Sequence, residues 1–316
     1  MELTKEVVEQ YLLQMYQIRA FEEQAEKSYM AGKIHGTMHL SIGQEASAVG
    51  SVAALNPDDY ILSTHRGHGH CIAKGADLNL MMAEFYGKSN GYCRGRGGSM
   101  HIADVASGNL GANGVVGGGI PMAVGVGLGL KMQNENKILL SFFGDGAAST
   151  GAFHESMTLS VIYQVPVVYI CENNQYAMSF PSEKWTTSQR LASFAECYGM
   201  PGKSVDGNDL EAVLEATEEA VEHTRGGNGP SLVVCDTYRW RGHSKSDRNR
   251  YRTQEEIEEW KQKEPIERFI NAMTKKKLIT KKGAEKIKTQ AYENIESARL
   301  FAESSPDPDV STLEEG

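Results

Sequence analysis

The segment spanning residues 137–179 constrains the fold of this chain more than any other part of the sequence. It begins with a short apolar run at 138–143, continues with helically spaced residues at 151–163, and closes with a β-branched run at 165–171. A helix between two apolar strands predicts a right-handed β–α–β unit whose parallel strands are buried on both faces. We therefore expect an α/β fold, with a mostly parallel central sheet and helices on both faces.

Polar residues follow both strands of this unit. Asp145 lies between two glycines just after the first strand, and Asn174 comes shortly after the second. The carboxyl ends of parallel strands meet at one sheet edge, where open α/β sheets bind ligands. Carboxylate and amide oxygens suit Mg²⁺ or Ca²⁺ better than zinc, and flanking glycines let the backbone approach a phosphate. Each motif alone is equally an ordinary turn, but together they predict a metal–diphosphate site.

The spacing of these two motifs resembles the thiamine diphosphate-binding motif: GDG at 144–146, 26 residues (147–172), then NN at 173–174. From about residue 11 to 247, the chain resembles the alpha subunits of two-chain thiamine-dependent 2-oxo acid dehydrogenases and of the similar acetoin dehydrogenases. The resemblance implies a thiamine diphosphate-binding fold and the cofactors thiamine diphosphate and Mg²⁺. The magnesium ligands it implies are Asp145, Asn174 and the backbone carbonyl of Tyr176. It also implies cofactor contacts from Gly146 and Ala147.

A histidine-rich loop, HRGHGH at 65–70, follows a strand-like run at 59–64. Its three histidines could form a zinc cluster, since imidazole binds zinc well, although Arg66 would repel a cation. The alternative is that Arg66 neutralises a diphosphate while His68 donates protons near neutral pH. In the related alpha subunits a tyrosine–arginine pair often occupies these positions. His65 in place of the tyrosine resembles the acetoin branch, and we expect it in the cofactor site with its role open.

A glycine-rich stretch at 110–122 indicates a backbone that passes close to a ligand or to another backbone. By resemblance, main-chain groups of Gly114 and Val116 hold the aminopyrimidine ring of the cofactor. Tight helix packing alone is the other interpretation of these glycines. Pyruvate-type relatives often carry a glutamine where Gly119 stands, so this chain lacks one polar side chain there.

The basic run at 239–252 contains the sequence GHSKSD, and its composition alone would predict a solvated loop. It resembles the YRxxGHSxSD loop of the alpha subunits, in which the histidine faces the cofactor. We therefore expect His243 to bind the cofactor and to transfer protons. Another histidine, His39, lies in a segment that resembles the HLxxGQEA sequence at the mouth of the cofactor channel. With His68, these residues complete the predicted catalytic set; Ser244 matches a serine that is phosphorylated in mitochondrial relatives.

Composition narrows the class of protein. The chain has 316 residues, 40% of them hydrophobic, a net charge of −9 and a pI of about 5.6, which argues against nucleic-acid binding and fits a soluble cytoplasmic enzyme. Five cysteines without a CxxC pair predict reduced thiols, and we expect neither a signal peptide nor a membrane span. We expect one thiamine diphosphate-binding α/β domain at 1–304, helical from 253 to 304, and a polar tail at 305–316.

The resemblance implies a thiamine diphosphate-dependent oxidoreductase subunit that cleaves acetoin and passes the acetyl unit to lipoyl groups of an acyltransferase. The main alternative is the alpha subunit of the first component of pyruvate, or branched-chain 2-oxo acid, dehydrogenase. A transketolase-like half, a zinc hydrolase built on the histidine loop and a non-enzymatic binding module are more distant alternatives.

The chain has room for a single α/β domain of this kind, whereas thiamine enzymes use two domains and a glutamate that activates the aminopyrimidine. The resemblance implies that a beta subunit supplies the second domain and the glutamate. The expected assembly is an α₂β₂ heterotetramer with the cofactor between the subunits, and the isolated chain is expected to be inactive.

Overall fold

The computed structural model describes residues 3–314 and is built around a parallel sheet. Within those residues, six strands form this sheet in the order β2-β1-β3-β4-β8-β7, and β5 and β6 form a separate antiparallel pair. Every pairing in the larger sheet is parallel, which confirms the predicted fold class. The strands are Tyr60–Thr64 (β1), Asn109–Asn113 (β2), Leu139–Gly144 (β3), Val167–Asn173 (β4), Tyr176–Ala177 (β5), Phe180–Pro181 (β6), Gly202–Asp206 (β7) and Ser231–Asp236 (β8).

The helices flank the sheet and mostly begin at the side-chain caps that the sequence provides. Thr4 accepts a hydrogen bond from the Val7 amide, and Thr150 accepts one from the Phe153 amide. The helices are Lys5–Met30 (α1), Glu45–Ala53 (α2), His68–Ala73 (α3), Leu78–Phe85 (α4), Gly119–Met132 (α5), Gly151–Tyr163 (α6), Ser188–Tyr198 (α7), Leu210–His223 (α8), Gln254–Lys261 (α9), Pro265–Lys275 (α10) and Lys281–Ser304 (α11).

The central β3–α6–β4 unit matches the prediction, with strand ends shifted by one or two residues. β3 and β4 pair in register from Leu139 opposite Val167 to Gly144 opposite Glu172. Every residue of β4 is buried, which explains why its sequence is apolar from Val167 to Cys171 rather than alternating.

The hydrophobic core has two layers, one on each face of the sheet. Alternate strand residues enter each layer: Leu140, Phe142 and Ile170 pack with helices on one face, whereas Leu139 and Tyr169 pack on the other. Because α1, α2, α8, α10 and α11 contribute to the first layer, it is the larger of the two.

The sheet has a switch point at β1, where ligand sites are expected. From β1 the chain passes to β2 on one side and then returns to β3 on the other side. The carboxyl ends of β1 and β3 therefore border a crevice, as the position of ligand sites in open α/β sheets requires. The amino end of α5 and the 3₁₀ turn Asp145–Ser149 lie at the same edge.

Two elements differ from the sequence-based expectation. The glycine-rich stretch includes an edge strand, β2, where only a loop was expected, and the histidine-rich loop contains the short helix α3. Neither segment has the periodicity by which a strand or helix is recognised, because each carries glycines and polar residues. Tertiary contacts determine both: β2 pairs with β1, and all six residues of α3 are buried.

The C-terminal part is helical, as expected, and Pro265 lies in the first turn of α10. α11 packs against α1 and α4, so this part contacts the N-terminal helix. The expected polar tail contains a 3₁₀ turn at Val310–Glu314. The division into one domain and a tail stays a prediction. Among the described residues, we find no helix both long and apolar enough to cross a bilayer.

Two glycines of α5 provide a test of the packing between this helix and the sheet. A Cβ at Gly127 would lie 2.8 Å from Val165 Cβ and from Val167 Cγ2, whereas a Cβ at Gly125 would have no atom of residues 3–314 within 4 Å. We expect Gly127→Ala to lower the free energy of unfolding by about 1–3 kcal/mol through overpacking. The control Gly125→Ala should raise it by about 0.5–1 kcal/mol, the helix-propensity gain. Urea unfolding of the isolated chain in dilute solution measures both, and an equal gain for both variants would contradict this packing.

Candidate functional site

A cavity of about 280 Å³ opens at the carboxyl ends of β1, β3 and β4. Most of the residues predicted for the cofactor site line it, and they come from loops far apart in the sequence. Those residues are His65, Arg66, Val116, Asp145, Gly146, Ala147, Asn174, Tyr176 and His243. The fold therefore brings the predicted metal ligands, the arginine and two of the histidines to one crevice.

Asp145 and Asn174 are buried side chains that keep oxygen atoms available. Asp145 Oδ2 and Asn174 Oδ1 have no hydrogen-bond partner within residues 3–314, although both side chains are over 90% buried. Burial raises the pKa of Asp145 to about 6, against the opposing effects of the Arg239 charge and backbone amides, including that of Asn174. Buried polar atoms are almost always paired, so two free oxygens at one sheet edge fit the predicted magnesium ion.

The third predicted metal ligand, the Tyr176 carbonyl, lies in β5 directly after these residues. It accepts a hydrogen bond of 3.2 Å from Arg239 Nη1, and a carbonyl oxygen retains a second lone pair for a metal. The Tyr176 side chain points away, since its hydroxyl donates to the Glu256 carboxylate at 2.9 Å. This agrees with the expectation that only the carbonyl of Tyr176 serves the site.

Three histidines from separate loops form a cluster beside the cavity, which we call the histidine triad: His39, His65 and His243. One ring nitrogen from each lies within 4.8 Å of the others. The ring centroid of His39 lies 4.6 Å from the ring centroid of His65 and 4.9 Å from that of His243. His39 does not line the cavity itself but packs behind the two histidines that do.

The triad is uncharged at neutral pH. Burial, and next the charge of Arg66, lower the pKa of His39 to about 2, of His65 to about 3 and of His243 to about 4. Arg239 Nη1 lies 3.3 Å from His243 Nδ1. A guanidinium group only donates, so this contact leaves Nδ1 as the acceptor and the proton on Nε2. His243 therefore presents an N–H donor, and His39 Nδ1 has no partner among the described residues.

His68 does not join this cluster, which departs from the predicted proton donor. Its Nδ1 lies 2.9 Å from the Glu22 carboxylate, and its Nε2 lies 3.1 Å from the Ser99 carbonyl oxygen. His70 is likewise occupied, by Ser63. The sequence-based alternative of a zinc cluster within 65–70 is therefore wrong for this geometry, because His68 and His70 lie in the buried helix α3 and have other partners.

Arg66 lines the cavity while its terminal nitrogens hold two loops together. Nη1 donates to the Leu40 carbonyl at 2.5 Å, and Nη2 donates to the His243 carbonyl at 2.9 Å. Burial, and next the charge of Arg239, lower the pKa of Arg66 to about 9, so it remains a cation at neutral pH. Arg66 therefore gives the crevice a positive potential suited to an anion. Its two hydrogen bonds also fix the backbones of the loops that carry His39 and His243.

The glycine-rich stretch supplies backbone at one wall. Val116 lines the cavity with its neighbour Val115, whereas Gly114 lies outside the lining and faces the His101 ring. At Gly119, the first residue of α5, an added Cβ would have the Ser63 carbonyl at 3.9 Å as its near neighbour. The absence of a side chain at Gly119 thus leaves space in the cavity, where a larger residue could be accommodated.

Asn113, Glu172 and Arg239 are among the cavity-lining residues that sequence reasoning did not place in the site. Glu172 directly precedes the NN motif at the end of the predicted strand, and this position could have indicated that it lines the site. Burial alone would raise the pKa of Glu172, but the charge of His70 and hydrogen bonds to it lower the pKa overall. Arg239 anchors its loop by donating to the Tyr176 and Met178 carbonyls, and its buried Nε has no partner in residues 3–314.

The loop that carries His243 is anchored by Arg252. Its Nη1 donates to the Arg239 carbonyl at 2.6 Å and its Nη2 to the Arg241 carbonyl at 2.7 Å. The Asp247 carboxylate accepts a hydrogen bond of 2.7 Å from the His243 amide. These contacts fix the backbone on both sides of His243 and so set the direction of its ring.

The cavity has an exposed apolar rim. Val115, Val116 and Met178 line the cavity, and Phe180 belongs to the rim because it pairs with the lining residue Ala177. Between 51% and 70% of each of the four rim side chains is exposed. Exposed apolar residues grouped around a cavity mark a surface that another molecule covers.

Comparison with known proteins identifies relatives over nearly the whole chain. The family model described as "Dehydrogenase E1 component" matches residues 13–311. The alpha subunit of the acetoin:2,6-dichlorophenolindophenol oxidoreductase of Bacillus subtilis is 45% identical over 312 residues, 98% of this chain and 93% of the relative. The corresponding subunit of Cupriavidus necator is 40% identical, with coverage of 97% and 92%. The pyruvate dehydrogenase E1 alpha subunit of Rhizobium meliloti is 39% identical, with coverage of 95% and 86%.

These relatives confirm the family that the sequence resembles, and they confirm that the chain is an oxidoreductase subunit of the alpha type. Membership implies the use of thiamine diphosphate and, in general, a beta subunit partner within a multienzyme complex. The matched family model and the 45% identical relative both cover almost all of the chain, and the chain therefore belongs to the dehydrogenase E1 component family.

Proposed function

We propose that this chain is the alpha half of a thiamine diphosphate- and magnesium-dependent enzyme that cleaves acetoin and transfers the acetyl unit to lipoyl groups of an acyltransferase. The observation that carries the proposal is the pair of unpartnered, buried oxygens of Asp145 and Asn174 at the carboxyl ends of β3 and β4. A cytoplasmic location is part of the proposal and follows from composition alone.

Asp145, Asn174 and the Tyr176 carbonyl hold the magnesium ion, and Arg66 contributes positive potential for the diphosphate. Gly146 and Ala147 supply backbone close to the phosphates; a Cβ at Gly146 would lie 2.8 Å from Ala177 Cβ, so the turn is packed tightly. Val116 lines the cavity and would contact the cofactor ring. Thiamine diphosphate held by these residues would supply a nucleophilic carbon for reaction with a carbonyl group.

His243 and His39 take part in proton transfer where the substrate binds. The Nε2–H of His243 donates to the oxygen on which negative charge develops, and Arg239 holds that tautomer through Nδ1. The neutral His39 ring lies behind it, and its Nδ1 has no partner among the described residues, so it can accept a hydrogen bond from the reacting end of the site. Any proton that His39 takes up is passed on at once, because burial and the charge of Arg66 lower its pKa to about 2. His65 contacts the His39 ring and, like His243, lines the cavity.

The substrate end favours an uncharged hydroxyketone over a 2-oxo acid carboxylate. The terminal nitrogens of Arg66 and Arg239 donate to backbone carbonyls, so neither guanidinium group has both terminal nitrogens free for a bidentate contact with a substrate carboxylate, and the triad is neutral. The Bacillus and Cupriavidus relatives are named for acetoin, whereas the Rhizobium relative is named for pyruvate. Pyruvate is therefore the second candidate, and a branched-chain 2-oxo acid the third.

A beta subunit completes the site. The exposed apolar rim at the cavity mouth is the surface that we propose it covers, with two copies of each chain in the assembly. The beta subunit also supplies the glutamate for the aminopyrimidine, so the isolated alpha chain is inactive.

The magnesium site predicts the effect of Asp145→Asn in the enzyme assembled with its beta subunit. The amide has the shape of the carboxylate but lacks its charge. We therefore expect the magnesium-dependent affinity for thiamine diphosphate to fall by at least about 100-fold. Mutation of residues that only contact a metal ligand typically costs about 10- to 100-fold. Asp58→Asn, at an exposed carboxylate, is the matched control. Calorimetric titration of the cofactor with Mg²⁺ measures the change, and unaltered affinity in Asp145→Asn would remove Asp145 from the metal site.

The substrate proposal predicts a preference in cofactor-dependent dye reduction by the assembled enzyme. With Mg²⁺ and thiamine diphosphate present, we expect kcat/KM for acetoin to exceed that for pyruvate and for 3-methyl-2-oxobutanoate. A tenfold advantage for pyruvate, about 1.4 kcal/mol in transition-state stabilisation, would reverse the assignment. Reduction with none of the three, when the cofactor is bound, would count against the proposed function as a whole.

A further inference from the structure

The histidine triad has a property that the proposed proton transfer does not require. Three imidazoles from separate segments converge so that one nitrogen of each lies within 4.8 Å of the other two. Proton transfer needs one or two such groups, whereas three convergent imidazoles form a ligand set for zinc and for related transition metals.

We propose that His39, His65 and His243 form a binding site for one transition-metal ion, Zn²⁺ by preference, separate from the magnesium site at Asp145 and Asn174. The proposal concerns the same cavity as the proposed function, but metal binding itself does not rest on that function.

The first support is geometric. In a tetrahedral zinc site with Zn–N distances of about 2.0–2.1 Å, ligand nitrogens lie roughly 3.3 Å apart. The nitrogens of the triad lie at most 4.8 Å apart, so a bound ion would have to draw the imidazole rings somewhat closer together. Three histidine ligands leave a fourth position open toward the cavity, which His65 and His243 line.

The second support is the unpartnered nitrogen of His39. This side chain is 94% buried, since 6% of it is exposed, and its Nδ1 has no hydrogen-bond partner in the described part of the chain. A buried imidazole nitrogen without a partner is unusual, because buried polar atoms are normally paired. The ring packs directly against His65 and His243, so the two other ligands of the proposed ion are its neighbours.

Charge determines how tightly the ion binds. The triad is uncharged, which is the form of imidazole that binds metals. Arg66 is the opposing charge, but its terminal nitrogens are held by the Leu40 and His243 carbonyls. The 3.3 Å contact between Arg239 and His243 Nδ1 is weak and must yield or move when the metal binds. We therefore expect weaker binding than at a dedicated zinc enzyme site, and reversible occupancy.

The proposed zinc site includes both histidines that we propose for proton transfer. A bound zinc ion would therefore block His39 and His243 and slow cofactor-dependent turnover. This consequence, unlike binding itself, rests on the proposed function.

Zinc titration of the assembled enzyme against a chromophoric chelator, in excess Mg²⁺, tests the site. We expect one zinc per alpha chain, and tetrahedral visible absorption when Co²⁺ replaces it. His65→Asn should weaken zinc binding at least about 10-fold, as ligand-sphere changes do. His65→Tyr, which carries the residue common in related alpha subunits, should do the same and guards against misfolding of the first variant. His154→Asn, at an exposed histidine, should leave zinc affinity unchanged.

Several results would overturn the site. The wild-type enzyme could fail to bind zinc, or both His65 variants could bind it as tightly as the wild type. Loss of zinc in Asp145→Asn but not in His65→Asn would assign the ion to the magnesium site instead. Absence of inhibition at saturating zinc would overturn the block of turnover. An enzyme inactive on every substrate would refute the proposed function while leaving the zinc titration valid.

Discussion

The candidate site depends on the burial of an oxygen pair that the protein itself does not satisfy. Asp145 and Asn174 lie at the ends of adjacent parallel strands, where the sheet excludes water but leaves Oδ2 and Oδ1 without partners in the described residues. A buried carboxylate without a counter-ion is costly, and the raised pKa of Asp145 records this cost. The neighbouring cations, Arg66 and Arg239, are held nearby by backbone carbonyls rather than paired with Asp145. The crevice thus holds a carboxylate and two guanidinium groups that are not paired with one another. A metal ion that carries an anionic ligand would supply a counter-charge for each.

Sequence patterns predicted the parts of the fold that local periodicity specifies. The β3–α6–β4 unit follows from two apolar runs around a helical segment, and strand topology then places Asp145 near Asn174. The short helix α3 and the edge strand β2 were not predicted, because glycines and histidines give them no period and long-range contacts hold them.

Convergence of distant loops was predictable only through family resemblance. His39, His65 and His243 have no spacing that would bring them together, and their meeting depends on Arg66, which joins the Leu40 and His243 backbones. The same limitation applies to His68, whose catalytic role stays a prediction: its ring contacts Glu22 rather than the triad, and a shift of one residue along a helix changes the direction of a side chain. Side-chain direction within a short buried helix follows from packing rather than from a motif.

The exposed apolar rim affects how the alpha chain behaves before it assembles with a partner. Val115, Val116, Met178 and Phe180 remain in contact with water until a partner covers them, so a newly made alpha chain carries an adhesive surface beside its binding crevice. Excess alpha chain would meet other copies of itself through this surface, and self-association would compete with correct pairing. Synthesis of both subunits in matched amounts would therefore limit self-association of the alpha chain.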